Sequence, residues 1–417
     1  MNYTMAMIHN PSDRLGRESA DRESSSGRTP SRPWRILLLT ANTGGGHRSS
    51  AEATQEALLH SFGDRVEVTV VDLFRSYLPF PLHQIDWIYP RIIRYGEQGW
   101  KFSWDLINNP SRSSKFLRFF WPLARKGVIR AIRESRADMI VSFHPAFNYP
   151  IQWAKEILVS DVPFITVVTD LLSIHAMWCA PGAAFYMLPT EDASKRCLDF
   201  GVPRELIRVS GLPISLRFER ELREDKIKVR EELGIDANKP VVLLMGGGEG
   251  MGRLFKIAKE VEGAGPDLQM LLVAGRREDL REKLERTNWM VPVKIFGFTN
   301  EMPRLMRAAD VVVTKAGPST IAEALAMGLP IILSSYIQGQ EDGNRTFVEE
   351  CGAGIYEPDP ARIAEIIRDL FLHGSGKMDL MSSSAMKNSR PTAALNVAGA
   401  IFSMLEGRNF AAGEQSG

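Results

Sequence analysis

Apolar residues recur along this chain in short, nearly unbroken runs separated by segments with helical spacing. "WRILLLTA" and "RVEVTVVDLF" read as strands, the second ending near Asp72, with a helix over residues 48–62 between them. "DMIVSFH", "PFITVVTD", "AAFYMLPT" and "IRVSGLP" continue the series. These runs lack the strict alternation that would leave one face wet, so they predict a parallel sheet covered by helices. A charged stretch over residues 217–240 then interrupts the pattern and reads as an exposed helical connector. The series restarts in "VVLLMGGG", "QMLLVAG", "VKIFGFT", "DVVVTKAG" and "PIILSSY", which predicts a second doubly wound α/β domain.

The organisation expected from this pattern is a disordered tail over residues 1–33 and a first domain over 34–216. A linker over 217–239, a second domain over 240–394, and a terminal helix with a frayed tail over 395–417 complete it. The tail is rich in Ser, Arg and Pro and buries too little apolar surface to offset chain entropy. A cleft between two such domains is the expected ligand site, because strand carboxyl ends and helix amino ends converge there.

The formal net charge of +1 argues against a whole-molecule nucleic-acid binder. Cys179, Cys197 and Cys351 have no paired spacing, so neither a zinc site nor a disulfide framework is expected, and a reducing compartment fits. No secretory signal is evident and no apolar run reaches the roughly 20 residues that span a bilayer. The expected location is therefore cytoplasmic, with any membrane contact peripheral.

Three glycine loops follow strands and precede helices: "NTGGGHRS", "MGGGEGMGR" and "TKAGPSTIAEAL". Backbone N–H groups and a positive helix end make each a potential phosphate cradle; the plainer reading of each is a tight strand–helix turn. In the first loop Gly44 and Gly46 match two positions of a dinucleotide fingerprint, with Ser49 in place of the third glycine and Asp72 where a ribose-binding acid belongs. An NAD-dependent oxidoreductase is thus an alternative. It gives no role to His47 or to the second domain. In "AGPSTIAEA", Pro318 suits a first helical turn, Ser319 and Thr320 can donate to phosphate, and Glu323 can accept from a ribose diol. "YIQGQEDGN" gathers Gln340, Glu341 and Asn344, groups suited to sugar hydroxyls that both donate and accept.

Taken together, "TGGGHRSSAEA", "VVTDLLSIHAMW" and "GFTNEMPRLMRAADVVVTKAGPSTIAEALAMGLPIILSSYIQGQEDGN" resemble glycosyltransferase family 28, and within it the monogalactosyldiacylglycerol synthases. The resemblance implies a GT-B fold, two Rossmann-like domains facing across a cleft, with the acceptor on the amino-terminal side and a UDP-sugar on the other. It implies inverting transfer of a hexose, galactose or glucose, from UDP-hexose to diacylglycerol. A peptidoglycan-type UDP-N-acetylglucosaminyltransferase is the related alternative. By position, Gly317, Ser319 and Thr320 would hold the diphosphate and Glu323 the ribose. Gln340 and Glu341 would read the sugar, supported by Asn344. The Gly246, Gly247 and Gly248 loop would lie beside the phosphates and Phe298 near the uracil. Gly45, Gly46, His175 and Trp178 would shape the acceptor side. Ser319 stands where many relatives carry glycine.

Inverting transfer needs a base, and a histidine with an ordinary pKa near ~6.5 suits that task. His47 is the expected base or acceptor-orienting group, with Asp170 the alternative base. No Asp-x-Asp motif occurs. Neither a metal nor a cofactor is therefore expected, and backbone N–H groups with helix dipoles would hold the leaving diphosphate. Residues 77–136, where the β/α alternation lapses, hold four of the eight tryptophans and eleven basic against four acidic residues. Aromatic rings beside Lys and Arg suit an interfacial helix on an anionic bilayer. A folded hydrophobic subdomain is the plainer reading.

Overall fold

The computed structural model describes residues 32–43, 46–246, 253–265, 267–373 and 375–407. Gly44, Gly45, Gly247 and Gly248, the tail through residue 31 and residues 408–417 lie outside the described residues. The first half runs β1 (Trp34–Thr40), α1 (Gly46–Phe62), β2 (Val66–Asp72), α2 (Leu73–Tyr77), α3 (Ile85–Ile107), α4 (Pro110–Ser135), β3 (Met139–Ser142) and α5 (Asn148–Leu158). It continues through β4 (Phe164–Val167), β5 (Phe185–Leu188), α6 (Glu191–Asp199) and β6 (Ile207–Val209). The second half runs α7 (Arg217–Leu222), α8 (Lys226–Glu232), β7 (Val241–Met245), α9 (Leu254–Glu262), β8 (Gln269–Val273), α10 (Glu278–Glu285), β9 (Val293–Phe296), α11 (Met302–Ala308) and β10 (Val311–Lys315). After them come α12 (Pro318–Ala326), β11 (Ile331–Ser335), α13 (Asp342–Glu350), β12 (Gly354–Tyr356), α14 (Pro360–His373), α15 (Ser375–Asn388) and α16 (Ala393–Leu405).

Two six-stranded sheets result, ordered β2-β1-β3-β4-β5-β6 and β12-β11-β10-β7-β8-β9. The strand pairings are parallel throughout both. The near-continuous apolar runs have a direct cause, since both faces of each sheet are covered. Along β1, Leu37 and Leu39 pack with Val128 and Ile132 of α4, while Ile36 and Leu38 pack with Leu58 of α1. Along β7, Val241 and Leu243 join Leu305 of α11 and Ile321 of α12, while Val242 and Leu244 join Ile257 of α9 and Ile363 of α14. In each sheet the strand order reverses beside its first strand, so the loops leaving β1, β7 and β10 open at the crevices where ligands bind.

Two expectations about boundaries change. The charged run over residues 217–239 is not an exposed connector. Phe218 and Val229 are buried in the same core as Val241 and Leu305. Arg230 is buried too, its Nη2 2.7 Å from Asp310 Oδ2 and its Nε donating to the Ala308 carbonyl. The charges sit on the outer faces of α7 and α8, and the sparse apolar positions between them dock both helices on the second domain. The last helix, α16, does not stand apart either. Val397, Ala398 and Ile401 pack against Ile36, Leu38 and Ala51, and Phe402 stacks on Phe62 with ring centroids 3.8 Å apart. The chain therefore crosses back to complete the first domain. Residues 77–136, where the alternation lapses, begin at the last residue of α2 and form a short 3-10 turn and the α3–α4 hairpin.

A cleft between the sheets as candidate active site

A cleft of about 960 Å³ separates the two sheets, lined from both. Its floor is set by two helices that end head to head. The loop after β1 delivers Gly46 as the first residue of α1, and the loop after β10 delivers Pro318 as the first residue of α12. Ser319 Oγ lies 3.4 Å from the Gly46 carbonyl and 3.4 Å from Ser49 Oγ. A Cβ on Gly46 would stand 3.1 Å from Ser319 Oγ, so glycine permits this approach. Two helix N-termini thus point their partial positive charges at one volume, an arrangement that attracts an anion. Gly317 caps α12, with Thr320 in its first turn, and both line the cleft. The first glycine loop, with Gly46 expected on the acceptor side, therefore ends beside Ser319, one of the residues expected to hold the diphosphate.

Glu323 lies one turn further along α12, half-buried and lining the cleft. Burial raises its carboxyl to about 8, so it is largely protonated at neutral pH until a ligand compensates. Phe298 is 58% exposed at the cleft wall, with the Arg276 guanidinium 4.1 Å above its ring. The pair forms a cationic aromatic shelf of the kind that takes a flat heterocycle. Gly246 is buried at the end of β7, behind the cleft-lining Met245.

In the loop after β11, Gln340 Oε1 accepts from the Tyr89 hydroxyl of α3. Glu341 is buried, with Oε1 2.5 Å from Lys315 Nζ and Oε2 accepting from the Ile337 amide at 2.9 Å. Both side chains reach the cleft. Asn344 does not. It is buried, with Oδ1 accepting from the Leu171 amide at 3.2 Å and Nδ2 donating to the Ala316 carbonyl at 3.0 Å. The Leu171 bond ties the two domains together, and the pair of bonds occupies the amide expected to support the sugar.

On the amino-terminal wall, His47 is 9% exposed, and its Nδ1 is 2.8 Å from Thr169 Oγ1. The His144 ring packs edge-on at 4.6 Å behind it. Desolvation lowers the His47 pKa to about 4, so the imidazole is neutral at physiological pH. Asp170, 7% exposed, follows Thr169 on the loop after β4 and accepts a 2.7 Å hydrogen bond from Trp178 Nε1. Burial raises its pKa to about 6, the Trp178 bond opposes that rise, and the Glu341 charge adds to it.

His175 and Trp178, expected to contact the acceptor, are both wholly buried and absent from the cleft wall. His175 Nδ1 caps the short turn that follows by accepting from the Met177 amide, and its ring packs 4.1 Å from Trp104 of α3. Trp178 holds Asp170 from behind. Asp72 offers no ribose contact either: its carboxylate caps α2 through the Arg75 amide and accepts from the Asn42 amide. The dinucleotide reading of the first loop loses its acid.

Lys315, Thr169, Tyr89 and Arg276 were not singled out from sequence, yet all four line the cleft. Lys315 and Arg276 had a signal, each being a basic residue just after an apolar run. Tyr89 had none, since its place depends on how α3 packs.

The sequence matches the profile of monogalactosyldiacylglycerol (MGDG) synthase over residues 47–214 and that of the glycosyltransferase family 28 C-terminal domain over residues 241–394. The chain is similar to monogalactosyldiacylglycerol synthase 1, chloroplastic, of Arabidopsis thaliana: 35% identical over 389 residues, covering 91% of this chain and 72% of that one. Among solved structures, MurG of Acinetobacter baumannii superposes with a TM-score of 0.55 at 14% identity, covering 89% of this chain and all of its own. Anabaena HepE, solved in complex with UDP-glucose, gives 0.52 at 17% identity, covering 88% and 99%. These last two likenesses concern the fold, two Rossmann-like domains facing across a cleft.

Proposed function

The chain belongs to the monogalactosyldiacylglycerol synthase family, and from that membership we infer that it is a UDP-sugar-dependent hexosyltransferase that makes galactolipid from diacylglycerol. The observation that carries the site assignment is the meeting of the α1 and α12 N-termini beneath a cleft that holds Asp170 on one wall and Glu323 on the other. The relatives' names favour galactose over glucose as the sugar moved.

In this proposal the diphosphate lies against the two helix N-termini, with Ser319 and Thr320 as donors and Gly317, whose N–H donates to the Lys315 carbonyl, as the cap that lets the phosphates approach. Glu323 accepts from the ribose, the uracil rests by Phe298, and the sugar faces Gln340 and Glu341. The acceptor hydroxyl attacks the anomeric carbon from the opposite face. The new C–O bond forms as the bond to UDP breaks, the electron pair leaves on the β-phosphate oxygen, and Asp170 takes the hydroxyl proton. Its pKa of about 6 suits a base working near neutrality, whereas His47, at about 4, is a weaker base. His47 is assigned to orienting the acceptor hydroxyl. Among the described residues no group of three or more His, Cys, Asp and Glu side chains converges as a metal site.

No helix among the described residues is long and apolar enough to cross a membrane. The bilayer contact is assigned to the α3–α4 hairpin, giving peripheral association with an anionic surface. Phe116, Phe119 and Leu123 are exposed along one face of α4, and Lys126, Arg130 and Arg133 continue that face at helical spacing. Apolar anchors followed by cations suit acyl chains followed by anionic headgroups.

The test is a transfer assay with UDP-galactose, UDP-glucose and UDP-N-acetylglucosamine, each with and without diacylglycerol in mixed micelles. Galactosyl transfer to the lipid with inverted anomeric configuration is the expected product; preferential use of UDP-N-acetylglucosamine would overturn the assignment. The acid limb of kcat/KM should have its midpoint near 6 if Asp170 is the base, and near 4 if His47 is. His47→Ala should lower turnover while leaving that midpoint in place.

A further inference from the structure

Tyr89 belongs to α3 in the first domain, yet its hydroxyl donates to Gln340 Oε1 in the loop after β11 of the second. The ring is held independently of that bond. It packs edge-on to Trp100 at 5.4 Å, Trp100 stacks on Trp104 at 5.4 Å, and Trp104 lies 4.1 Å from His175. His175 Nε2 is also 3.2 Å from the Trp104 carbonyl, which pins α3 to the loop that carries Asp170. Burial, with the Glu341 charge added to it, raises the Tyr89 pKa and keeps the proton on its hydroxyl. Tyr89 is therefore a fixed donor at the cleft wall.

An amide carries its acceptor and its two donors on opposite sides, so the partner of one decides where the other points. Among the described residues the Tyr89 hydroxyl is the one partner of the Gln340 amide, and it takes the oxygen. Glu341 beside it is committed, one oxygen to Lys315 and the other to the Ile337 amide. Of the two side chains assigned to the sugar, Gln340 thus holds the uncommitted donors.

We propose that Tyr89 is a positioning residue for the donor sugar, holding the Gln340 amide with its NH2 turned to a hexose oxygen. The proposal rests on the reading of this cleft as a UDP-sugar site. Tyr89 does not touch the reacting atoms; it acts through Gln340. Because the hydroxyl comes from one domain and the amide from the other, the sugar contact is complete only with α3 docked.

Tyr89→Phe keeps the ring against Trp100 and removes the donor, which leaves the amide free to rotate. KM for UDP-galactose should rise about 3- to 10-fold, the worth of one ordinary hydrogen bond, with kcat changed by no more than about twofold. UDP lacks the sugar, and its affinity by calorimetric titration should stay within about twofold of wild type. KM for diacylglycerol and partitioning onto anionic vesicles should also hold, which a role confined to anchoring α3 would not allow. Gln340→Ala should raise KM for UDP-galactose by itself, and adding Tyr89→Phe to it should cost nothing further. Additive losses, an unchanged KM for UDP-galactose, or equal shifts for UDP or the lipid would each overturn the role of Tyr89. Failure of wild type to bind UDP at all would overturn the UDP-sugar reading itself.

Discussion

Trp178 Nε1 donates a 2.7 Å hydrogen bond to Asp170 Oδ2, and the indole is wholly buried while the carboxylate reaches the cleft. The bond stabilises the ionised carboxylate and opposes the upward push of burial on its pKa of about 6. Trp178→Phe keeps the packing and removes the donor. The acid limb of kcat/KM should then move to higher pH by about 1 unit, the worth of one ordinary hydrogen bond. Turnover measured well above pH 8 should change little. An unmoved limb would show that Asp170 is not the titrating base.

Asp170 also makes a prediction about stability. Its folded pKa of about 6 lies above the unfolded value of 3.8, so the folded state binds the proton more tightly. Stability from this group is complete below the unfolded value and is lost as pH rises through about 6, where the buried carboxyl must ionise. Asp170→Asn removes that loss while its amide oxygen can still accept from Trp178. The variant should be more stable than wild type by about 1–3 kcal/mol at pH 8 and no more stable at pH 3.5. Its transfer rate should fall about 10²- to 10⁴-fold. Denaturant titrations at the two pH values, set beside the transfer assay, check both halves.

Much of this architecture is legible in the sequence because the inner strands are buried on both faces and so read as apolar runs, while β2, at a sheet edge, alternates and leaves Glu67 and Thr69 exposed. The strand–helix loops of the cleft are legible because glycine and proline mark such turns wherever they occur. What the sequence hides is the partner of each side chain. His175 and Trp178 sit in one loop with Asp170, and nothing in "VVTDLLSIHAMW" tells which of the three faces the cleft. Asn344 looks like a sugar ligand until Leu171, from the other domain, is seen to donate to it. The run over 217–239 looks like a connector because its charges outnumber Phe218 and Val229, the residues that dock it. Long-range packing decides each of these cases.

The close approach of Gly46 and Ser319 can be tested by steric exchange. Gly46→Ala places a Cβ 3.1 Å from Ser319 Oγ, so that the hydroxyl must give way by a few tenths of an ångström. UDP binding should weaken by about fivefold, since the Ser319 hydroxyl assigned to the diphosphate is displaced. Ser319→Gly removes the same hydroxyl, so the double variant should lose little more than either single one. A double-mutant cycle yields that coupling directly, and additive effects would mean that the contact does not shape the phosphate site.

The α3–α4 hairpin carries the last prediction. Phe102 is 71% exposed and Phe119 is 80% exposed, so replacing either removes no core packing. If these rings insert among acyl chains, Phe102→Glu and Phe119→Glu should each weaken partitioning onto anionic vesicles by about 10-fold or more, given the ~1.5–3 kcal/mol of burying one such side chain. Raising the salt should weaken wild-type binding further, through Lys126, Arg130 and Arg133, because surface charges are screened over about a Debye length. UDP affinity in solution should stay unchanged, since neither ring lines the cleft. The opposite side of α3 explains why transfer to bilayer-borne diacylglycerol should fall along with binding. Tyr89 donates to Gln340, and Lys101 and Trp104 crowd Gly339 on the same loop. Under the proposal, a helix held at the bilayer would also border the loop assigned to the sugar, and would bring the lipid hydroxyl and the donor to one edge of the cleft. Vesicle sedimentation and transfer assays on the same variants should fall in parallel, and partitioning equal to wild type would remove the hairpin from the membrane contact.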